Sequence, residues 1–121
     1  MPSRQPTRPN ATTEFFRELQ THGHEPSLVK VSGTLRFDIV DDAAAPSHWL
    51  VSLKKGEIAV SRKNARADCV VRSDRATFDG VASGRLNAFA ALLREALSAQ
   101  GDVGLLVLFQ RLFPPPARSE P

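Results

Sequence analysis

The histidines are the residues of the chain best suited to hold a metal ion or to move a proton. His22 and His24 lie two residues apart, and Glu25 follows directly. A zinc site needs further ligands that converge from elsewhere in the chain. We therefore interpret His22 and His24 as solvent-exposed or capping residues near a helix end. His48 precedes Trp49 on an alternating segment, and we expect it to point to the solvated face.

Nucleophilic chemistry finds little support in the sequence. Cys69 is the only cysteine, and its place in an alternating segment puts it on the apolar face, where a thiol behaves as a small hydrophobe with a raised pKa. Ser83 lacks the first glycine of a Gly-x-Ser-x-Gly nucleophile elbow. The acidic pair 41–42 is predicted to solvate a loop. The sequence therefore predicts no catalytic residue, no cofactor and no metal.

Five cations are grouped around a predicted hairpin. They are Lys54, Lys55, Arg62, Lys63 and Arg66. Two interpretations stand: a solvated rim, or a docking patch for anionic membrane headgroups, to which each cation contributes on the order of 1 kcal/mol. Nucleic acid is not expected as a partner, because the net charge is only +3 and the aromatic residues that would stack on bases are predicted to lie inside.

Length and composition limit the architecture to one domain. The chain has 121 residues, of which 41% are hydrophobic, enough for a single two-layer core. It contains no apolar run long enough for a membrane span, and residues 1–11 do not resemble a secretory signal. A single cysteine forms no intramolecular disulfide, so we expect a reducing, cytoplasmic location. The Pro-rich segments 1–11 and 114–121 are predicted to be disordered tails around a folded unit at 12–113.

Alternating apolar residues predict four short strands in the first part of the folded unit. The clearest runs from Val29 to Ile39. After a polar connection at 41–46, Trp49 begins a hairpin that turns at 55–56. A fourth strand is predicted over 67–73. One solvated face and this sequential order indicate an antiparallel meander.

Helical spacing dominates the remainder of the chain. Thr12 or Thr13 is a candidate N-cap for a first helix, Ser73 or Asp74 for a second, and Asn87 for a third. Residues 96–100 are predicted to form a fifth strand. A last apolar helix begins at Gly101-Asp102 and ends before Pro114. The sequence thus predicts an α+β fold with two layers.

Several segments, taken in order, resemble the sterol carrier protein 2 family over residues 12–113. They are GTLRFDIV at 33–40, HWLVSLKKG at 48–56, ADC at 67–69, Phe78 with Gly84, Asn87, and Gly101-Asp102. The resemblance implies a five-stranded, mostly antiparallel sheet covered on one face by helices. It also implies an apolar tunnel between the layers that accommodates sterols, fatty acyl chains or similar lipids, and no enzymatic activity.

The inward-facing apolar residues would form the lining of such a tunnel. On the sheet and helices these are Leu35, Phe37, Trp49, Val51, Cys69, Val71, Phe78, Phe89, Leu93, Leu105, Phe109 and Leu112. The alternative is that these side chains simply pack against one another. Gly80 departs from the large aliphatic residues of the family, and a glycine inside a helix costs on the order of 1 kcal/mol relative to alanine. We expect a looser helix or a wider cavity there.

Two functions therefore follow from the sequence. The first is non-enzymatic binding or transfer of an apolar lipid, with the helix at 102–113 as a mobile gate. The second is a dimerisation or accessory interaction module with a closed core, in which Leu106, Leu108 or Phe113 faces outward to another chain. The sequence leaves the ligand and the oligomeric state open.

Overall fold

A computed structural model describes residues 11–41 and 44–113. The helices are α1 (Ala11–His22), α2 (Arg75–Ala82), α3 (Ala88–Leu93) and α4 (Val103–Phe109), with 3-10 turns at Pro26–Leu28 and Gln110–Leu112. The strands are β1 (Ser32–Asp41), β2 (Ala44–Lys54), β3 (Glu57–Ser61), β4 (Cys69–Asp74) and β5 (Leu97–Gly101). Helix α1 begins one residue before the predicted folded unit. The tail predictions for 1–10 and 114–121 lie outside the described residues.

The strands form one sheet in the order β3-β2-β1-β4-β5. Three neighbouring pairs are antiparallel, and β1 pairs with β4 in parallel. The α+β class and the mostly antiparallel sheet are confirmed. The simple meander is wrong, because β4 lies beside β1 instead of β3.

The segment between β3 and β4 explains this strand order. Arg36, on the face of β1 that the helices leave uncovered, donates from Nη1 to the Ala65 carbonyl oxygen at 3.0 Å. The Asp68 amide donates to the Thr34 carbonyl oxygen at 3.0 Å. These bonds direct the connecting segment across β2 and β1 before it enters β4. Alternation of apolar residues predicts strands, but it carries no information about such a crossing.

Two strand boundaries differ from the prediction. Strand β1 begins at Ser32, since residues 26–28 form a 3-10 turn and Val29 lies outside the sheet, half exposed. Strand β2 begins at Ala44, so part of the predicted connection at 41–46 belongs to the sheet. Pro46 is tolerated there because it lies near the strand end, where a β-bulge interrupts the pairing with β1.

Side-chain caps fix the starts of three helices. An Oδ1 atom accepts from a backbone amide three residues later at Asp74 (2.7 Å), Asn87 (2.9 Å) and Asp102 (3.3 Å). Each bond satisfies an amide that has no partner within the helix. The predicted start of the last helix and the caps at Asp74 and Asn87 are confirmed, and Asp74 is the capping residue instead of Ser73.

Gly80 makes room for a leucine and leaves no open space. A Cβ atom at this position would lie 2.6 Å from Cδ1 of Leu86 and 2.8 Å from its Cγ. Helix α2 continues through Gly80 to Ala82. The expectation of a wider cavity at this point is therefore wrong, because Leu86 occupies the volume that a larger residue would take.

Candidate functional site

The space between the sheet and the helices holds most of the residues predicted to face inward. Eight of them are buried: Leu35, Phe37, Val51, Cys69, Val71, Phe78, Leu105 and Phe109. Trp49 and Leu112 are partly buried and pack against this core. The inward orientation predicted from strand and helix periodicity is confirmed for these ten residues. Burial raises the pKa of the Cys69 thiol, with nearby Asp102 adding to the effect.

Seven aromatic rings fill the centre of this space. We call them the aromatic cluster: Phe15, Phe16, Phe37, Trp49, Phe78, Phe109 and Phe113. Phe16 stacks on Trp49 at 4.6 Å between ring centroids and on Phe78 at 5.7 Å. Phe37 lies 5.3 Å from Phe109 in the same measure. In this conformation the rings contact one another, so side chains predicted to line a tunnel pack together.

Three members of the aromatic cluster were not among the predicted lining residues. Phe15 and Phe16 come from α1, and Phe113 follows the last 3-10 turn. Phe15 stacks on Phe113 at 4.8 Å, which joins the first helix to the end of the described chain. The apolar stripe formed by Phe15, Phe16 and Leu19 was visible in the sequence and is the signal that points to them.

Helix α3 faces the core with small side chains. Ala91 is buried and Leu92 partly so, whereas Phe89 is 46% and Leu93 70% exposed. The predicted inward orientation of Phe89 and Leu93 is therefore wrong in this conformation. Ala88, Ala91 and Leu92 share one side of the helix by their spacing, and the alanines let α3 pack closely on β5.

Exposed apolar residues lie on both of the last two helices. Val103 and Val107 of α4 are exposed, as are Phe89 and Leu93 of α3, and we call these four residues the α3–α4 surface. A cleft of about 10 Å³ between the helices is lined by Phe89, Leu92, Leu106 and Val107, among others. Leu106 and Phe113 are buried, so their predicted outward presentation is wrong.

A larger groove lies along α1. It has a volume of about 530 Å³, within the usual range for small-molecule sites. Its lining consists of Ala11, Glu14, Phe15, Glu18, Leu19, His22, Glu25, Ala82, Ser83, Arg111 and Leu112. The floor is apolar, but three carboxylates border it, so the groove is a poor place for a purely apolar chain.

An Asp–His–Arg cluster lies on the open face of the sheet. The Asp38 carboxylate accepts from Arg36 Nε at 2.9 Å and Nη2 at 3.0 Å, and His48 Nδ1 lies 2.8 Å from its Oδ1. Burial raises the pKa of Asp38, but the bonds from Arg36 and His48 outweigh it and lower that pKa. His48 lies on the predicted face. Among the described residues, the His48 ring bonds to Asp38 and no hydrogen bond joins it to a serine or cysteine side chain.

The remaining histidines pair with exposed carboxylates. His22 Nε2 lies 3.3 Å from Glu25 Oε1, and His24 Nδ1 lies 3.1 Å from Glu57 Oε2. Hydrogen bonds from Ser27 and His22 lower the pKa of Glu25. Within residues 11–41 and 44–113, no three side chains converge as metal ligands. The exposure predicted for His22 and His24 is confirmed.

The acidic pair 41–42 is only partly described. Asp41 ends β1 and accepts a hydrogen bond from Arg75 Nη1 at 2.9 Å. It is not a simple loop residue that solvates a turn, because it anchors the start of α2. Asp42 lies outside the described residues.

The five predicted cations are all exposed but do not form one patch. Lys54 and Lys55 lie at the β2–β3 turn, whereas Arg62 and Lys63 follow the far end of β3. A five-residue strand separates these ends by about 13 Å. The Arg62 guanidinium lies 4.1 Å from the centroid of the Trp49 ring, and its Nε donates to the His48 carbonyl oxygen at 2.9 Å.

Comparisons with solved structures find the same fold in proteins of low sequence identity. Palmitated SCP2L2 from Aedes aegypti is 18% identical, with 90% of this chain and 96% of that chain covered and a TM-score of 0.70. A crystal structure of sterol carrier protein 2 is 23% identical, with 85% and 90% covered and a TM-score of 0.65. The sec-alkylsulfatase Pisa1 from Pseudomonas sp. is 22% identical with a TM-score of 0.66; 87% of this chain is covered, but it spans only 16% of the enzyme.

The remaining comparisons concern sequence. No curated protein gives a significant match. Among the described residues, no helix is both long and apolar enough to cross a membrane. The profile of the SCP-2 sterol transfer family matches residues 14–114, which include every strand and nearly all of α1 through α4. The chain therefore belongs to the SCP-2 sterol transfer family.

Proposed function

We propose that the chain binds and transfers an apolar lipid, a fatty acyl chain or sterol-like molecule, without catalysing a reaction. The observation that carries this proposal is the α3–α4 surface, whose four apolar side chains stay exposed, with a small apolar cleft between the two helices. Membership of the SCP-2 sterol transfer family supports it. So does the fold shared with a palmitated protein from Aedes aegypti.

Burial of apolar surface supplies the driving force. Each square ångström of apolar area removed from water contributes about 25 cal/mol. Phe89 and Leu93 at the entrance would contact the part of the chain nearest the solvent. Deeper contacts would come from Leu35, Phe37, Trp49, Val51, Cys69, Val71, Phe78, Leu105, Phe109 and Leu112, which face the interior already.

The helices must move for a tunnel to form. The aromatic cluster occupies the space that the lipid would take, so its rings must separate. Helices α3 and α4 have only six and seven residues, and Ala91 is the only fully buried side chain of α3. Short helices depend on packing for their stability. We therefore assign the gate to α4 with the turn after it, and the entrance to its boundary with α3.

Lipid-binding measurements on the protein and on variants at exposed positions test the proposal. The purified protein is titrated with a fluorescent fatty acid and a fluorescent sterol, and native mass spectrometry identifies any lipid that copurifies. We expect Leu93→Ser to weaken binding about tenfold, since burying a leucine contributes about 1.5–3 kcal/mol. Val29→Ser, at an exposed apolar position outside the α3–α4 surface, is the control and leaves binding unchanged.

A second function is favoured by the closed packing of the aromatic cluster. A filled interior and an exposed apolar surface are also what a dimerisation or accessory interaction module would have. The α3–α4 surface would then cover a second chain. A protein that binds neither probe, carries no lipid and forms a stable dimer by light scattering would establish this alternative and exclude the first.

Two narrower proposals concern membrane contact and cellular location. Lys54 and Lys55 lie at the β3 edge of the sheet, whereas α3, at the proposed entrance, packs at the opposite β5 edge. We therefore propose only a transient headgroup contact through the exposed cations Lys54, Lys55, Lys63 and Arg66, with Arg62 held over Trp49. The single cysteine supports a reducing, cytoplasmic location.

A further inference from the structure

A small polar pocket lies where α1, β2 and the start of α2 meet. Its walls are Thr12, Thr13, Ile39, Ser47, Trp49, Arg62 and Arg75. The volume is about 40 Å³, which admits about three water-sized groups. Two guanidinium groups and the Ser47 hydroxyl offer hydrogen-bond donors, two threonines add further polar surface, and Ile39 and Trp49 form the apolar walls. This combination of donors and apolar walls suits an oxyanion that is attached to an apolar group or lies beside one.

Arg62 brings a positive charge that no carboxylate of the described residues contacts directly. Its guanidinium lies over the Trp49 ring, and its Nε donates to a backbone carbonyl. None of the ion pairs formed within residues 11–41 and 44–113 includes Arg62. Its two terminal nitrogens therefore remain to donate to a ligand in the pocket.

Arg75 carries a donor that lacks an acceptor. Its Nε is buried without a hydrogen-bond partner, and the nearest carboxylate oxygen, Oδ2 of Asp79, is 3.6 Å away, too far for a good hydrogen bond. Buried N–H groups in native proteins nearly always have a protein, water or ion partner. Because this Nε has almost no solvent-accessible surface, a ligand oxygen in the pocket that Arg75 lines would reach it only after the side chain turns.

The charges around the pocket favour a monoanion. Arg75 donates to Asp41, and Asp79 accepts from the Thr12 amide and hydroxyl at 3.1 Å and 2.6 Å. Together these two carboxylates carry one negative charge more than Arg75 neutralises. Arg62 brings the four groups to neutrality, so the pocket holds no excess positive charge that would favour a dianion over a carboxylate or a sulfate monoester.

The Trp49 ring lies between the pocket and the apolar interior. This residue forms one wall and stacks on Phe16, a central ring of the aromatic cluster. We propose that Arg62 and Arg75 bind the oxyanion head of a ligand whose apolar part lies along the aromatic cluster. The placement of the apolar part rests on the proposed function, whereas the oxyanion site does not.

The test compares a charged and a neutral amphiphile of equal chain length. Trp49 is the only tryptophan of the chain, so its fluorescence reports directly on the pocket. Dodecanoate, dodecanol and acetate are titrated separately. We expect dodecanoate to bind at least about tenfold more tightly than dodecanol, because charge-assisted hydrogen bonds form only with the carboxylate. A response to acetate would mean that the pocket binds a free anion, whereas a response to dodecanoate alone would mean that it binds the head of a lipid.

Variants assign the effect to the pocket. Arg62→Gln should reduce the dodecanoate-to-dodecanol ratio to about one while dodecanol affinity stays unchanged, since only the charge-assisted contacts are lost. Arg72→Gln, the same substitution at an exposed position of β4 outside the pocket, should leave the ratio intact. Arg75→Gln should act like Arg62→Gln, and thermal unfolding checks its folding because Arg75 also pairs with Asp41.

The outcomes separate the inference from the proposed function. A ratio of one in the wild-type protein with no response to acetate overturns the oxyanion site, even if dodecanol binds. A response to acetate that Arg62→Gln abolishes, with neither amphiphile binding, supports a site for free anions and removes the lipid proposal. A ratio that Arg72→Gln lowers as much as Arg62→Gln reflects overall charge and overturns the site.

Discussion

Asp38 is the most constrained polar residue on the open face of the sheet. It is only 5% exposed and accepts three hydrogen bonds, two from Arg36 on its own strand and one from His48 on β2. Arg36 also reaches Ala65, so the same cluster fixes the segment that crosses from β3 to β4. The strand order of the fold thus depends on a polar group, although its core is almost entirely apolar.

Replacing Asp38 by asparagine should lower the stability of the fold and make that stability less sensitive to acid. Hydrogen bonds to charged groups contribute about 1.5–3 kcal/mol, and we expect Asp38→Asn to lower the free energy of unfolding by about 2 kcal/mol at pH 7. The pKa of Asp38 is lowered in the folded state. Its stabilisation is therefore complete above the unfolded pKa of about 3.9 and is lost as the pH falls through the folded value.

Urea unfolding between pH 2 and pH 7 measures this effect. The wild-type protein should lose stability below about pH 4, and Asp38→Asn should show a smaller loss over the same window. Asp68→Asn is a suitable control, since Asp68 also accepts on the sheet, from Thr34, but is exposed. Identical pH profiles for wild type and Asp38→Asn would contradict the assigned role of the carboxylate.

At the scale of elements, the sequence predicts the strands and the starts of α2, α3 and α4, whereas its N-cap for α1 is wrong because Thr12 and Thr13 lie inside a helix that begins at Ala11. The two-residue alternation around Leu35 and Phe37 and the capping side chains of Asp74 and Asn87 are local signals, and the structure confirms them. The orientation of α3 was not predictable in this way. Its sequence, AFAALL, is apolar on every side, so periodicity cannot select a face. Packing of the alanines against β5 determines which face of α3 is buried.

The cap of α3 should control how readily the proposed entrance opens. Asn87 Oδ1 accepts from the Ala90 amide at 2.9 Å, and loss of such a cap costs about 1 kcal/mol. Because α3 buries little, we expect Asn87→Ala to open α3 locally, with amide hydrogen exchange there about fivefold faster and fatty-acid association faster by a similar factor. Hydrogen exchange and stopped-flow fluorescence provide the measurements.

A cap on a deeply packed helix supplies the control. Asp74→Ala removes the equivalent bond from α2, which carries Phe78 into the aromatic cluster. This variant should lower the midpoint of thermal unfolding and leave exchange in α3 unchanged. If Asn87→Ala lowered that midpoint equally and left fatty-acid association unaltered, α3 would be a structural helix and not part of an entrance.

At the scale of the whole molecule, the central question is how a filled core admits a ligand. The inward-facing residues were predictable from periodicity, but whether they fill or line the interior depends on packing. Phe16, Phe37 and Phe109 meet ring against ring, so the closed state excludes a lipid. A ligand that binds only an open minor state has its apparent affinity reduced by the population of that state. Lipid binding and the stability of the closed core are therefore linked, because the core must open before a lipid binds.

Thermal unfolding distinguishes the two proposed functions through this linkage. A lipid at about 100 times its Kd stabilises the folded state by about 2.7 kcal/mol. For a domain of this size, that raises the unfolding midpoint by roughly 10 °C. A lipid carrier that works as a monomer should show this rise and no dependence on protein concentration. A closed-core dimer should behave in the opposite way, because association stabilises by mass action while lipid finds no site. Calorimetry at protein concentrations about 20-fold apart, with and without dodecanoate, measures both dependences on one sample. Leu93→Ser refines the result: it should reduce the lipid-dependent shift in the carrier, and the concentration-dependent shift in the dimer.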